Sequence, residues 1–90
     1  MPSYLVETYL AQGRAGERDE WEGLARSAAQ ELTTQGTSVR LDSSIHVPED
    51  EICFFVFEAP SSQAAADAVE HAGLDVLRVV EVIPSGEENR

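Results

Sequence analysis

The chain has 90 residues, 17 of them acidic against 6 basic, for a formal net charge of −11. That length supports a single domain with a thin core, and so negative a surface repels phosphate, so nucleic acid and anionic membrane are excluded as expected partners. A single cysteine excludes an internal disulfide framework and fits a reducing compartment. Met1 is not followed by a basic segment and an apolar run, and no apolar stretch is long enough to span a bilayer; a cytoplasmic protein is expected.

Along the chain the hydrophobic period changes in a clear order. Tyr4 to Leu10 alternates Tyr4, Val6, Thr8 and Leu10 against Leu5, Glu7 and Tyr9, which predicts a first strand. From there the period becomes helical: Trp21, Leu24, Ala25, Ala28 and Leu32 form one stripe. Glu17, Asp19 and Glu20 sit near the N-terminal end of that helix, where the macrodipole favours acids, and Gly36 supplies its stop. Gly23 is a local weakness inside it, costing about 1 kcal/mol relative to alanine.

Val39 to Pro60, VRLDSSIHVPEDEICFFVFEAP, reads as a β-hairpin turning at Val47-Pro48-Glu49-Asp50. With Ser44 opposite Cys53, one face carries Arg40, Asp42, Ser44, His46, Cys53, Phe55 and Phe57. The other carries Val39, Leu41, Ser43, Ile45, Ile52, Phe54 and Val56, and this purely apolar or neutral face is expected to meet the core. Pro60 ends the second strand, and Ser61 or Ser62 caps a second helix with an inner stripe of Ala65, Ala68, Val69 and Ala72 and a stop at Gly73. Val76 to Ile83 is a last strand. Residues 1–84 form the domain, and the polar tail 85–90 is expected to be disordered.

The order β-α-β-β-α-β, with right-handed crossovers, predicts an α+β ferredoxin-like fold: a four-stranded antiparallel sheet with both helices on one face. On this reading Cys53, Phe55 and Phe57 lie on the uncovered face. Exposed aromatic surface of that kind marks a partner or ligand site, and a second copy of the chain related by two-fold symmetry is the simplest partner. A homodimer packed sheet to sheet, a dimeric α+β barrel enclosing a cleft, is therefore expected.

The opening PSYLVE, the hairpin SSIHVPEDEICFFVFEAP, the phrase EHAGL and the ending RVVEV together resemble a family of small bacterial domains of unassigned function. Its best-known type is a nickel-binding protein. The resemblance covers nearly the whole chain and implies a ferredoxin-like fold, a face-to-face dimer and nickel as the ligand. In the nickel-binding type a histidine stands just before a Ser-aromatic pair in the second strand, where this chain has Ser43, and His46, three residues on, is expected on the other face of a regular strand. The chain thus resembles a divergent sub-branch.

Three groups of side chains are candidates for function. Imidazole and thiolate suit nickel or zinc, so His46 and Cys53 are candidate metal ligands with Asp42 as a third; the competing reading is a surface histidine, an inert buried cysteine and an Asp42–Arg40 ion pair. Glu7 and Glu81 lie in strands expected to be neighbours, where two carboxylates could meet on the cleft face and serve as general acid and base; otherwise they pair with arginines, while Glu58 caps a strand end. Tyr9, Phe55 and Phe57 are candidates to line a pocket for a small hydrophobic molecule, or else form an ordinary dimer core. Trp21 is expected in the core, and His71 on a solvated helix face with Asp67 one turn away. No phosphate loop, Ser-His-Asp set or paired CxxC occurs. Two functions follow: a small homodimer that binds a transition metal, with nickel favoured by the resemblance, or an α+β barrel that binds or transforms a small hydrophobic metabolite.

Overall fold

A computed structural model describes residues 1–83; the tail expected at 85–90 lies outside the described residues. Strand β1 spans Ser3–Tyr9 and leads through a 3-10 turn, Gln12–Glu17, into helix α1, Arg18–Thr34. Strands β2, Arg40–Val47, and β3, Ile52–Glu58, form the hairpin; helix α2 is Ser62–His71 and strand β4 Val76–Val82. All pairings are antiparallel and the strand order is β2-β3-β1-β4, the ferredoxin-like arrangement.

Local chemistry accounts for the element ends. The Ser61 hydroxyl accepts from the Ala64 N–H at 3.1 Å and caps α2. Both helices stop in the same way: Gly36 at φ +109° and Gly73 at φ +85° reverse the chain. Beyond them the Thr37 N–H donates to the Leu32 carbonyl at 2.9 Å and the Leu74 N–H to the Val69 carbonyl at 3.1 Å. Left-handed φ is what glycine adopts without a Cβ penalty, so these two positions end the helices. In the hairpin turn Pro48–Asp50 makes one 3-10 turn, and Glu51 takes the left-handed conformation at φ 55°.

The faces of the sheet are the reverse of the expectation. Cys53, Phe55 and Phe57 are each 0% exposed beneath the helices, packed with Val6, Trp21, Ala25, Ala65, Ala68 and Val69, whereas Ile52, Phe54 and Val56 lie on the open face. Strand β1 shows why. Val6 and Thr8, both fully buried, stand opposite Phe55 and Cys53, and side chains directly opposite in a ladder share a face. The rings of Phe55 and Phe57 meet at 6.3 Å, tilted by 39°.

Strand β2 does not follow one alternation. A register shift between Leu41 and Ser43 leaves Asp42 as the extra residue, so that Leu41 stands opposite Phe57, Ser43 opposite Val56 and Ser44 opposite Phe55. Before the shift Leu41 points into the core at 4% exposure; after it Ser44 and His46 take the inner face, and Ile45 points outward. A bulge of this kind moves every later side chain to the other face. Val39 and Leu41 are buried as expected, while Ile45 is 50% exposed.

Helix α1 buries Trp21, Ala25, Ala28 and Ala29, and α2 buries Ala64, Ala65, Ala68 and Val69. Alanines at these positions let the helices lie close to the sheet. Leu24, placed on the α1 stripe by sequence, is instead 41% exposed, because Ala29 rather than Leu24 completes the buried arc.

Candidate functional site

The open face of the sheet is a set of cross-strand rows. In the middle row Arg78, Glu7, Phe54 and Ile45 follow one another from β4 to β2; on one side lie Val80, Leu5, Val56 and Ser43, and on the other Tyr9, Ile52 and Val47. Apart from a central charged pair, and the Arg40–Glu58 pair at one end, the core of the face is apolar. Arg78 Nε donates to Glu7 Oε1 at 3.2 Å, and the Glu7 side chain is only 17% exposed. Placing a carboxylate among Leu5, Phe54 and Val56 is costly without a cation or hydrogen-bond donor beside it, and Arg78 is both. At the edge of the face the Tyr9 hydroxyl donates to Glu51 at 3.2 Å, and that carboxylate holds the phenol above its ordinary pKa. Tyr9, half exposed, is the one expected ligand-lining residue found on the open face. Phe55 and Phe57 belong to the core and line no open cleft.

Glu7 and Glu81 are not brought together. Glu81 stands opposite Tyr4, whose face is that of Phe57, while Glu7 stands opposite Arg78 on the open face. Neighbouring strands were expected correctly, but the two positions differ in parity, so the carboxylates point to opposite sides of the sheet. An acid–base pair of these two residues is therefore ruled out.

The proposed metal ligands divide in the same way. His46 lies directly opposite Cys53 on the helix-covered face, not diagonal to it, and its Nε2 is buried with no hydrogen-bond partner among the described residues. The Cys53 thiol is fully buried, and desolvation pushes its pKa up, which disfavours the thiolate a metal needs. Asp42 is at the bulge, exposed and 3.9 Å from Arg40. Arg40 makes its shorter contact, 2.8 Å, with Glu58. Among the described residues no three His, Cys, Asp or Glu side chains gather to hold an ion.

Sequence reasoning missed one polar link beside this pair. Ser44, inward after the bulge, donates to Glu22 of α1 at 2.5 Å, and Arg26 donates to the same carboxylate at 3.1 Å. These bonds, that of Ser44 foremost, hold the Glu22 carboxyl below its ordinary pKa. A carboxyl with a depressed folded pKa adds stability above its unfolded value of about 4.3, and that stability is lost as pH falls through the folded value. Because this side chain is 36% exposed, solvent screening limits its contribution. Glu22→Gln is expected to be less stable than wild type by about 0.5–1 kcal/mol at pH 7 and indistinguishable at pH 3 in urea unfolding. An equal gap at both pH values would remove this role. His71 likewise has a partner different from the one expected: its Nε2 lies 2.7 Å from Glu31 of α1, linking the two helices, while Asp67 accepts from Gln63.

Fold and open face together define a ferredoxin-like α+β domain with one uncovered, apolar sheet face. No protein-family model matches the chain, and no curated protein matches its sequence. Among solved structures, the crystal structure of SCO4226 from Streptomyces coelicolor A3(2) is similar with a TM-score of 0.76, covering 92% of this chain and 98% of that one at 14% identity. At that identity the likeness shows the fold alone. No helix among the described residues is long and apolar enough to cross a membrane.

Proposed function

We propose that this chain works as a cytoplasmic homodimer, closed sheet to sheet over its open face, and binds a small, largely apolar molecule with one polar group between the two sheets. The observation that carries this reading is the composition of that face: Leu5, Phe54, Val56, Ile45 and Val80 around the central Glu7–Arg78 pair. Against a net charge of −11 for the chain, the charges here cancel, since Glu7 pairs with Arg78 and Glu58 with Arg40. Two copies can therefore approach through a face whose charged pairs cancel, and the repulsion of the remaining charge is screened within about 8 Å at physiological salt. Glu7 and Arg78 would then be the polar contacts for a ligand, and apolar side chains the rest of its cavity. Sedimentation velocity of the tag-free chain at tens of micromolar is expected to show twice the monomer mass. A monomer at those concentrations would overturn the reading.

A second reading has its own observation. The unpartnered Nε2 of His46 directly across from Cys53 is a pair of donors suited to nickel or zinc, in keeping with the resemblance to the nickel-binding type. Two donors fall short of the four such ions commonly take, so water or another ligand would complete the shell, and the Cys53 proton would be released on binding. Titration of apo protein with nickel is expected to give a dissociation constant raised at least about tenfold by His46→Ala and by Cys53→Ala, since each removes one of the two protein donors. Unchanged titrations in both variants would end this reading.

A further inference from the structure

We propose that the ligand of the open sheet face is a neutral molecule with a carboxamide head. Its N–H donates to Glu7, its carbonyl accepts from Arg78, and its apolar body lies over Leu5, Phe54 and Val80. This rests on the reading of that face as a ligand cavity and adds the chemical class the cavity selects.

The geometry of the charged pair carries the inference. Arg78 Nε donates to Glu7 Oε1 at 3.2 Å, and this is the one hydrogen bond either side chain makes among the described residues. A guanidinium has five N–H donors and a carboxylate two oxygens, so the pair keeps Glu7 Oε2 as an acceptor and the Arg78 amino groups as donors. A ligand thus meets both hydrogen-bonding characters side by side, with no net charge. The Glu7 side chain is 17% exposed against 67% for Arg78, so the acceptor lies within the apolar surface and the donors reach out of it.

A charged head fits this pair badly. A carboxylate that took the Arg78 donors would bring a second negative charge beside Glu7, and an ammonium on Glu7 a second positive charge beside Arg78. In a cavity closed by a second sheet either costs more than in water, because like charges repel more strongly at low dielectric and the excess charge has no partner. Nor does the chain hold a spare cation among its described residues to offset the first case: Arg14, Arg18, Arg26, Arg40 and Arg78 each already contact a carboxylate. A hydroxyl is neutral but has to donate and accept through one oxygen. A carboxamide carries its donor and its acceptor on two atoms and can make a charge-assisted bond at each, leaving the ion pair intact.

The test uses the full ¹⁵N-labelled chain, titrated at neutral pH with hexanamide, sodium hexanoate and hexylammonium chloride, which share one hydrocarbon body. Hexanamide is expected to give saturable amide shifts centred on Leu5, Phe54 and Val80, with an affinity at least about tenfold above that of either charged probe, the worth of one charge-assisted hydrogen bond. Glu7→Gln removes the negative charge and leaves Arg78 unmatched, so hexanoate is expected to become the tightest probe in that variant. If the variant fails to fold, the ranking of the three probes on wild-type protein decides alone. Equal binding of all three at these residues, or a charged probe leading in wild type, would overturn the carboxamide assignment and leave the ligand cavity standing. No saturable shift at these residues from any probe would overturn both the assignment and the cavity.

Discussion

Phe55→Ala is expected to leave the protein only marginally folded at room temperature. Phe55 is 0% exposed, stands opposite the fully buried Val6, and meets the Phe57 ring at 6.3 Å. Truncating a buried phenylalanine typically costs about 3–5 kcal/mol, the transfer term of the ring plus the cavity left behind. Little can collapse into that cavity: the facing helix residues are largely alanines, Ala25, Ala65 and Ala68 among them, which have no side chain to extend into it. A domain of this size is at the low end of the usual stability of about 5–15 kcal/mol, so the loss is comparable with the whole. Urea unfolding followed by far-UV circular dichroism, at one fixed protein concentration because association adds to apparent stability, should show the midpoint collapse or no folded baseline. A variant as stable as wild type would place Phe55 outside the core and restore it to a binding cleft. Phe54→Ala, one residue away on the open face, is expected to cost the isolated subunit much less.

That contrast between adjacent residues locates what the sequence carried and what it did not. Element order was legible because the periods change from two to 3.6 at Gly13–Glu17 and again at Pro60–Ser61, and because Gly36, Gly73 and Ser61 sit where chain reversal or a cap needs them. Which face of β3 the helices cover was not legible. ICFFVFE is apolar at nearly every position, so alternation separates two sets, Cys53-Phe55-Phe57 and Ile52-Phe54-Val56, without ranking them. The answer lies in β1, where Val6 and Thr8 face inward, and in the side chains on its other face, Glu7 and Tyr9, which cannot be covered at the same low cost. Strand β2 misled further because Leu41 and Ile45 have the same parity but, across the bulge at Asp42, opposite faces. No residue type marks that bulge, which follows from fitting β2 to a neighbour already fixed by the core.

The site was less legible than the fold because each candidate depended on parity. Moving the helices to the other face put Phe55 and Phe57 into the core and left His46 and Cys53 under α1, while the β1–β4 register set Glu7 and Glu81 on opposite sides. Arg78 was assigned no role from sequence, yet its contact with Glu7 is the one charged feature inside the open face. A signal was available: β4 reads VLRVVEV, and an arginine inside an apolar strand requires an acid nearby.

Phe54→Lys is expected to leave the subunit folded and to abolish its self-association. Phe54 occupies the middle row of the open face between Glu7 of β1 and Ile45 of β2. In the isolated subunit a lysine there has a favourable neighbour, since Glu7 stands directly opposite and carries a carboxylate already drawn toward Arg78. In a two-fold sheet-to-sheet dimer the same lysine replaces an aromatic ring at the contact and brings a second copy of its own charge toward it. Removing a central aromatic anchor costs about 2 kcal/mol or more, and burying an unpaired charge adds to that, which amounts to at least about a hundredfold weaker association. Sedimentation velocity across a hundredfold concentration range, with circular dichroism on the same samples, separates the outcomes. A folded monomer supports the open face as the dimer contact. A folded dimer would move the contact elsewhere and leave Glu7 and Arg78 facing solvent, and with that the proposed ligand cavity would disappear.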